Sequence, residues 1–191
     1  MNCRHCDNVI KNTFLDLGFA PPSNAYLDRD SLSCHELYYP LKVNVCENCW
    51  LVQTEDYNDA DELFTEEYAY FSSTSKSFVE HAKKYSQEVI KRFNLSSQSF
   101  VMELASNDGY LLRNFVDSSI PCLGVEPTKS TAEASRKLNI EVIEEFFGEA
   151  TANKIVNNYQ QADLIIGNNV YAHVPDINDF TLGMKACLKS N

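Results

Sequence analysis

Two cysteine pairs, Cys3-x-x-Cys6 and Cys46-x-x-Cys49, constrain the start of this chain more than any other feature. A two-residue spacer lets both sulfurs of a pair project from one tight turn. Each pair then offers two neighbouring corners of a tetrahedron, and the two pairs together offer all four. Four thiolates leave no position for water or substrate, so the predicted metal, zinc, is structural. Residues 1–62 are rich in turn formers, as in Ala20-Pro21-Pro22-Ser23-Asn24, with brief apolar runs only at 41–45 and 50–53. So small a core needs a metal to hold it together. The bland alternative is two unrelated cysteine pairs, and His5, Cys34 and His35 are the groups near enough in sequence to displace a ligand.

The chain has 7 cysteines in 191 residues and opens on Met1-Asn2-Cys3-Arg4-His5-Cys6, without the apolar stretch of an export signal. An odd cysteine count in that setting favours reduced or metal-bound thiols and a cytoplasmic protein over a disulfide framework. Cys122 and Cys187 fall in apolar stretches and read as buried, inert thiols. With 16 basic against 27 acidic residues, the formal charge is -11. Phosphate backbones and anionic membrane surfaces are repelled on average, so no nucleic acid and no membrane is expected as partner. No stretch approaches the roughly 20 apolar residues of a membrane span.

Beyond residue 62 the pattern changes twice. Residues 63–97 read as a connecting segment with one amphipathic helix over 75–95, because Phe78, Ala82, Tyr85, Val89, Ile90 and Phe93 recur at helical spacing. Residues 98–191 alternate short apolar runs with helical stretches: strands over 100–104, 122–126, 140–143 and 164–167, and helices after Gly109, over 130–138, 148–158 and 177–188. That alternation predicts an α/β unit with a parallel sheet.

The first strand runs into Glu103-Leu104-Ala105-Ser106-Asn107-Asp108-Gly109, and in a doubly wound sheet this turn borders the nucleotide crevice. A nicotinamide cofactor needs G-x-G-x-x-G for its pyrophosphate, and the turn has one glycine. S-adenosylmethionine has no pyrophosphate and tolerates the looser turn. Glu126 ends the second strand about 20 residues downstream, where an acid meets ribose hydroxyls. A strand-end acid is also a common helix cap, a task for which Thr128 competes.

With these residues assembled, the chain resembles the S-adenosylmethionine-dependent sugar C-methyltransferases that carry an N-terminal zinc-binding domain and act on nucleotide-linked keto-deoxysugars. The likeness rests on the two cysteine pairs, on Pro22-Ser23-Asn24-Ala25-Tyr26, and on Phe64 followed by Tyr68-Ala69-Tyr70-Phe71-Ser72-Ser73. It continues through Glu103-Leu104-Ala105-Ser106-Asn107-Asp108-Gly109-Tyr110-Leu111, Gly124-Val125-Glu126-Pro127, Phe146-Phe147-Gly148 and residues 168–176, Asn168-Asn169-Val170-Tyr171-Ala172-His173-Val174-Pro175-Asp176. The resemblance implies a small four-cysteine module followed by the first half of a Rossmann-like class I methyltransferase domain. It also implies methylation of a sugar carbon beside a ketone: a base removes the α proton, and the enolate carbon attacks the sulfonium methyl.

On that reading His173 is the catalytic histidine, with capping of the loop before Pro175 as its alternative role. Tyr68, Ser72 and Ser73 belong to a segment over the cofactor, and Tyr70 and Tyr171 face the sugar, although an aromatic pair before a helix is also ordinary packing. Asn168 and Asn169 line the methyl-transfer site or form an Asx turn. Ala105 stands where the generic methyltransferase turn has glycine, and its methyl group crowds the ligand. Four strands are countable where the family's sheet has seven. The chain therefore reads as the front part of the enzyme, with an open edge beside the fourth strand that awaits a C-terminal half or a second copy. Two other functions fit the turn: a zinc-stabilised module that binds cofactor without turnover, and an O- or N-methyltransferase on another small metabolite.

Overall fold

The computed structural model of the chain describes residues 1–24, 26–57 and 70–190. It divides into two compact units, Met1–Tyr70 with Pro175–Ile177 and Phe71–Val174 with Asn178–Asn191.

The first unit holds a three-stranded antiparallel sheet of β1 (Asn12–Ala20), β2 (Tyr39–Val45) and β3 (Val52–Thr54), in that order. The apolar runs at 41–45 and 50–53 become β2 and β3. β1 differs from the expectation of an irregular, turn-rich stretch over its nine residues. Two features hide it. Eight of the nine are exposed, and its register with β2 slips at Thr13/Leu15 and again at Asp16/Phe19, so Phe14, Leu15, Leu17 and Phe19 lose the alternation of a half-buried strand. At the second slip Gly18 takes φ +77 and its amide donates to Asp16 Oδ1 at 2.9 Å, a turn conformation that favours glycine.

The second unit is a three-layer α/β structure around a parallel sheet. β4 (Val101–Leu104), β5 (Cys122–Val125), β6 (Glu141–Ile143) and β7 (Leu164–Ile166) lie in the order β6-β5-β4-β7. Side chains alternate across it, as a period of two requires. Val101, Val142 and Ile166 join the core on the side of α1 (Lys76–Arg92), α2 (Arg113–Asp117) and α3 (Lys129–Arg136). Met102, Leu104, Leu123 and Val125 pack on the other side with α4 (Glu149–Asn158) and α5 (Ile177–Cys187). Helices on both faces of a parallel sheet make this a Rossmann-like arrangement.

The helices start and stop for local reasons. Ser75 caps α1, its Oγ accepting the Phe78 amide at 3.3 Å. Asn94 ends the run with φ 51, a left-handed conformation that asparagine tolerates. Phe93, expected in the buried stripe, lies beyond the helix, 50% exposed, with the Arg92 guanidinium 5.5 Å from its ring centre. The helix after Gly109 is only the five residues of α2, because tight turns occupy 107–112. β7 ends the four-strand sheet. Past Asp163 the chain returns from α5 to place Leu188 in a parallel bridge with Ala162: the Ala162 amide donates to Cys187 O at 2.7 Å and the Lys189 amide to Ala162 O at 3.0 Å. No described helix is long and apolar enough to cross a membrane.

Candidate metal centre and cofactor site

The two cysteine pairs form knuckles of the same geometry. In the first, the Asp7 amide donates to Cys3 O at 3.0 Å and the Cys3 amide to Asn8 O at 2.9 Å. In the second, the Trp50 amide donates to Cys46 O at 2.9 Å and the Cys46 amide to Leu51 O at 3.0 Å. The residue after each pair takes a left-handed φ, 58 at Asp7 and 64 at Trp50. For Trp50 this is strained backbone, held by the turn around it. The four sulfurs lie within 4.8 Å of one another, with Cys3–Cys49 at 3.5 Å and Cys6–Cys46 at 3.6 Å. A tetrahedron with metal–sulfur bonds of about 2.3 Å has edges of about 3.8 Å, so the sulfurs stand close to the spacing that zinc requires.

Cys34 is exposed and stays outside the cluster, its thiol donating to Asp30 O at 4.0 Å, and His5 and His35 are not among its members. The environment treats the four sulfurs unequally. Burial opposes ionisation of Cys3, but the amides of Cys6 and His5 and the Gln53 side chain outweigh it and bring its pKa down to about 6. Asn48 and the Asn8 amide lower Cys6. Cys49 receives the Leu51 amide, yet burial and the three neighbouring sulfurs push it up to about 12. Crowded thiols that cannot all ionise alone are a donor set for a dication.

In the second unit all four strands point their carboxyl ends to one edge. β4 is flanked there by β5 and β7, the switch point at which ligands bind in such sheets. The turn after β4 carries three left-handed residues in alternation, Ala105 (φ 55), Asn107 (φ 50) and Gly109 (φ 78). A Cβ on Gly109 would stand 2.5 Å from Ile140 Cδ1 and 2.7 Å from Ser135 Oγ, so both space and φ demand glycine. Gly124 on β5 leaves room for Ser106 in the same way.

Glu126, buried at the end of β5, accepts the Asn107 amide at 2.9 Å on Oε2 and the Thr128 amide at 3.0 Å on Oε1. Its carboxylate therefore clamps the turn to β5. Thr128 caps α3 with its backbone only, and its hydroxyl is buried with no partner among the described residues. Asn107 and Asp108 also tie in the preceding segment: Asn107 Oδ1 accepts the Ser72 amide at 2.9 Å, and Asp108 Oδ2 the Ser73 amide at 3.0 Å. Ser72 and Ser73 thus meet the turn through their backbone. Ser106 Oγ and Asp108 Oδ1 are buried with no partner among the described residues.

Glu103 is set deeper than the rest. It lies 1% exposed on β4, on the helix α1–α3 side, and its Oε2 has no partner among the described residues. Burial first, then the charges of Glu126 and Asp108, raise its pKa well above the usual carboxyl range. Burial and Glu103 push Cys122 up to about 12, and burial raises Cys187, so both thiols are kept protonated.

Asn168 and Asn169 follow β7 in a turn, Asn169 with φ 53. With Phe78, His81, Ala82, Tyr85, Tyr110 and Leu111 they line a groove of about 260 Å³. Tyr110 stacks on Phe78 with centroids 4.9 Å apart, and its hydroxyl accepts from Asn168 Nδ2 at 3.4 Å. Tyr85 belongs to the stripe that periodicity assigns to the core, and His81, outside that stripe, carries no sequence signal for the groove. Both stand with Phe78 and Ala82 in the lining of the groove. Tyr171 bonds Thr181 at 2.7 Å and packs edge-on against Phe180, 5.9 Å between centroids, which engages it with α5. His173 ends the same short 3-10 turn, Tyr171–His173, exposed and with no side-chain partner among the described residues. Tyr70 is half-exposed in the first unit, and Tyr68 lies outside the described residues.

Residues 3–64 match the family described as "Putative zinc binding domain". Along 186 residues the chain is 28% identical to the C-methyltransferase NovU of Streptomyces niveus, covering 97% of this chain and 44% of that protein. It thus spans less than half the length of this curated relative. Among solved structures it is similar to a "putative s-adenosyl-l-methionine-dependent methyltransferase" of Methanococcus maripaludis, at TM-score 0.49 and 16% identity over 72% of this chain and 64% of that one. It is also similar to the glycopeptide N-methyltransferase MtfA, at TM-score 0.45 and 15% identity over 56% of this chain and 53% of that one.

Proposed function

We propose that the chain belongs to the methyltransferases that carry an N-terminal zinc-binding domain, and that its second unit holds S-adenosylmethionine and serves the C-methylation of a nucleotide-linked keto-deoxysugar. The observation that carries the cofactor half is the set of buried polar atoms at the carboxyl end of β4. Ser106 Oγ and Asp108 Oδ1 in the turn after β4, and Thr128 Oγ1 after β5, lack partners among the described residues, and the Glu126 carboxylate links the two segments through the Asn107 and Thr128 amides. Buried polar atoms are nearly always satisfied, so such a cluster calls for a polar ligand. The single-glycine turn suits a ligand without pyrophosphate.

In this reading Glu126 keeps lone pairs for ribose hydroxyls while it holds the turn, and burial favours the protonated form of Glu103, which offers a hydrogen-bond donor. Bound there, S-adenosylmethionine supplies an electrophilic methyl group. The protein's part is positioning: the groove along α1 orients the acceptor, with Asn168, Asn169 and Tyr110 as polar anchors among aromatic walls. His173, at the same sheet edge, is the group we assign to proton handling beside the sugar carbonyl. Zinc, held by Cys3, Cys6, Cys46 and Cys49, has a structural role. Labelled methyl donor supplied with a panel of nucleotide sugars tests the reaction; label on a keto-deoxysugar carbon supports it, and label on an oxygen or nitrogen of another metabolite overturns it.

A second reading, cofactor binding without methyl transfer, is favoured by His173, exposed and with no side-chain partner among the described residues, because a base without a hydrogen-bonded relay is poorly placed. The same assay separates the two.

A further inference from the structure

The first cysteine pair stands on a short, weakly anchored stretch of chain. Its only strand-like pairing outside the knuckle, among the described residues, is the Asn2–Val9 bridge. Of the side chains that tie it to the sheet, the one that reaches a cysteine sulfur is Gln53 on β3, a side chain with its residue 6% exposed. Gln53 Nε2 donates to Cys3 Sγ at 3.3 Å, while Gln53 Oε1 accepts the backbone amide of Arg4 at 3.1 Å. One primary amide thus satisfies a sulfur acceptor and a peptide donor of the same knuckle, and no other neutral side chain of that size offers both a donor and an acceptor in one plane. Arg4 extends the connection, its guanidinium donating to Thr54 O at 3.0 Å and pairing with Asp56. The two knuckles, 40 residues and more apart in sequence, are joined through residue 53 before any metal is considered.

We propose that Gln53 is the positioning residue of the metal centre: its carboxamide sets the Cys3 sulfur in place for zinc and stabilises it as a thiolate ligand. This rests on the zinc reading and goes beyond it by naming a residue outside the four ligands. A hydrogen bond to a ligating sulfur orients that ligand, and loss of such a partner costs roughly 10- to 100-fold in metal affinity. Glu at this position keeps size and shape but presents oxygens to a sulfur that needs a donor. The loss should therefore be as large in Q53E as in Q53L.

Asn44 provides the control. It lies directly across the β2–β3 ladder from Gln53 and is buried to the same degree, but its side chain bonds Thr13 and Met1 rather than a cysteine. Zinc affinity of the full chain would be measured by competition with a chromophoric chelator, and the ligand set by the absorption of the cobalt-substituted protein. The expected result is a 10- to 100-fold weaker affinity in Q53E and Q53L, with the four-thiolate cobalt spectrum retained or lost at Cys3 alone, and less than threefold change in N44L. Affinity within twofold of the parent in both Gln53 variants overturns the assignment, as does an equal loss in N44L, which would trace the effect to the sheet. If the parent chain takes up no zinc at all, the zinc reading itself fails.

Discussion

The Glu126 carboxylate receives the backbone amide of Asn107 at 2.9 Å, which fastens the turn after β4 to the end of β5. The acid assigned to the cofactor ribose is therefore also a structural clamp, and its removal should be felt twice. Glu126→Ala leaves the buried amides of Asn107 and Thr128 without acceptors, so unfolding free energy should fall by about 1 to 3 kcal/mol. Affinity for S-adenosylmethionine should fall by a similar amount. Denaturant melts and calorimetric titration on the same preparation read the two effects separately; a normal melt with normal affinity would contradict the placement.

Gly109 and Ala105 occupy the same turn, both with left-handed φ. Gly109→Ala must push against Ile140 and Ser135 and also enter the left-handed region, at a combined cost of about 2 to 4 kcal/mol. Ala105→Gly relieves a φ of 55, a gain that the greater freedom of glycine in the unfolded chain largely offsets, for a net change within about 1 kcal/mol. Thermal unfolding of the two variants should rank them in this order.

Glu103 makes stability depend on pH in a stated direction. Its pKa in the fold is raised, so the unfolded chain gives up this proton near the usual carboxyl value of 4.5 while the native chain retains it. Unfolding then releases a proton, and this group's contribution is full below that value and is lost as pH rises towards the raised native pKa. Glu103→Gln, which cannot ionise, should gain stability over the parent as pH increases from 5 to 8. A difference that stays flat across urea melts in that window would contradict the assignment.

One zinc per chain is the fourth expectation. Elemental analysis of protein purified without added metal should find it, and Cys46→Ser should lose it and loosen the first unit before the second. Metal at trace level in the parent protein would contradict the four-thiolate site.

How much of this was legible in the sequence follows from the period of each signal. The strands and helices of residues 98–191 announced themselves because both faces of the sheet are buried, which leaves runs such as Val101-Met102 and Leu164-Ile165-Ile166 between helical stretches. The cysteine pairs were legible because spacing alone sets knuckle geometry. β1 was not, since exposure removes the hydrophobic alternation on which strand recognition depends. The groove was hidden for another reason. Tyr85 lies on a helix face that periodicity marks as apolar, His81 falls outside that stripe, and only the packing of α1 leaves a space beside them rather than a filled core. Nor does sequence show that Ser72 and Ser73 meet Asn107 and Asp108 through their amides, because a backbone contact 35 residues away leaves no trace in side-chain type.

The central claim is that the turn from Glu103 to Gly109 and the Glu126 clamp form a site for S-adenosylmethionine. Calorimetric titration of this cofactor into the folded, zinc-loaded chain tests it most directly, with Glu126→Gln as the matched variant. The account predicts saturable binding at one site per chain, weakened about 5- to 100-fold in the variant through the loss of a charged acceptor. Absence of binding at millimolar cofactor in a chain that melts cooperatively would contradict it.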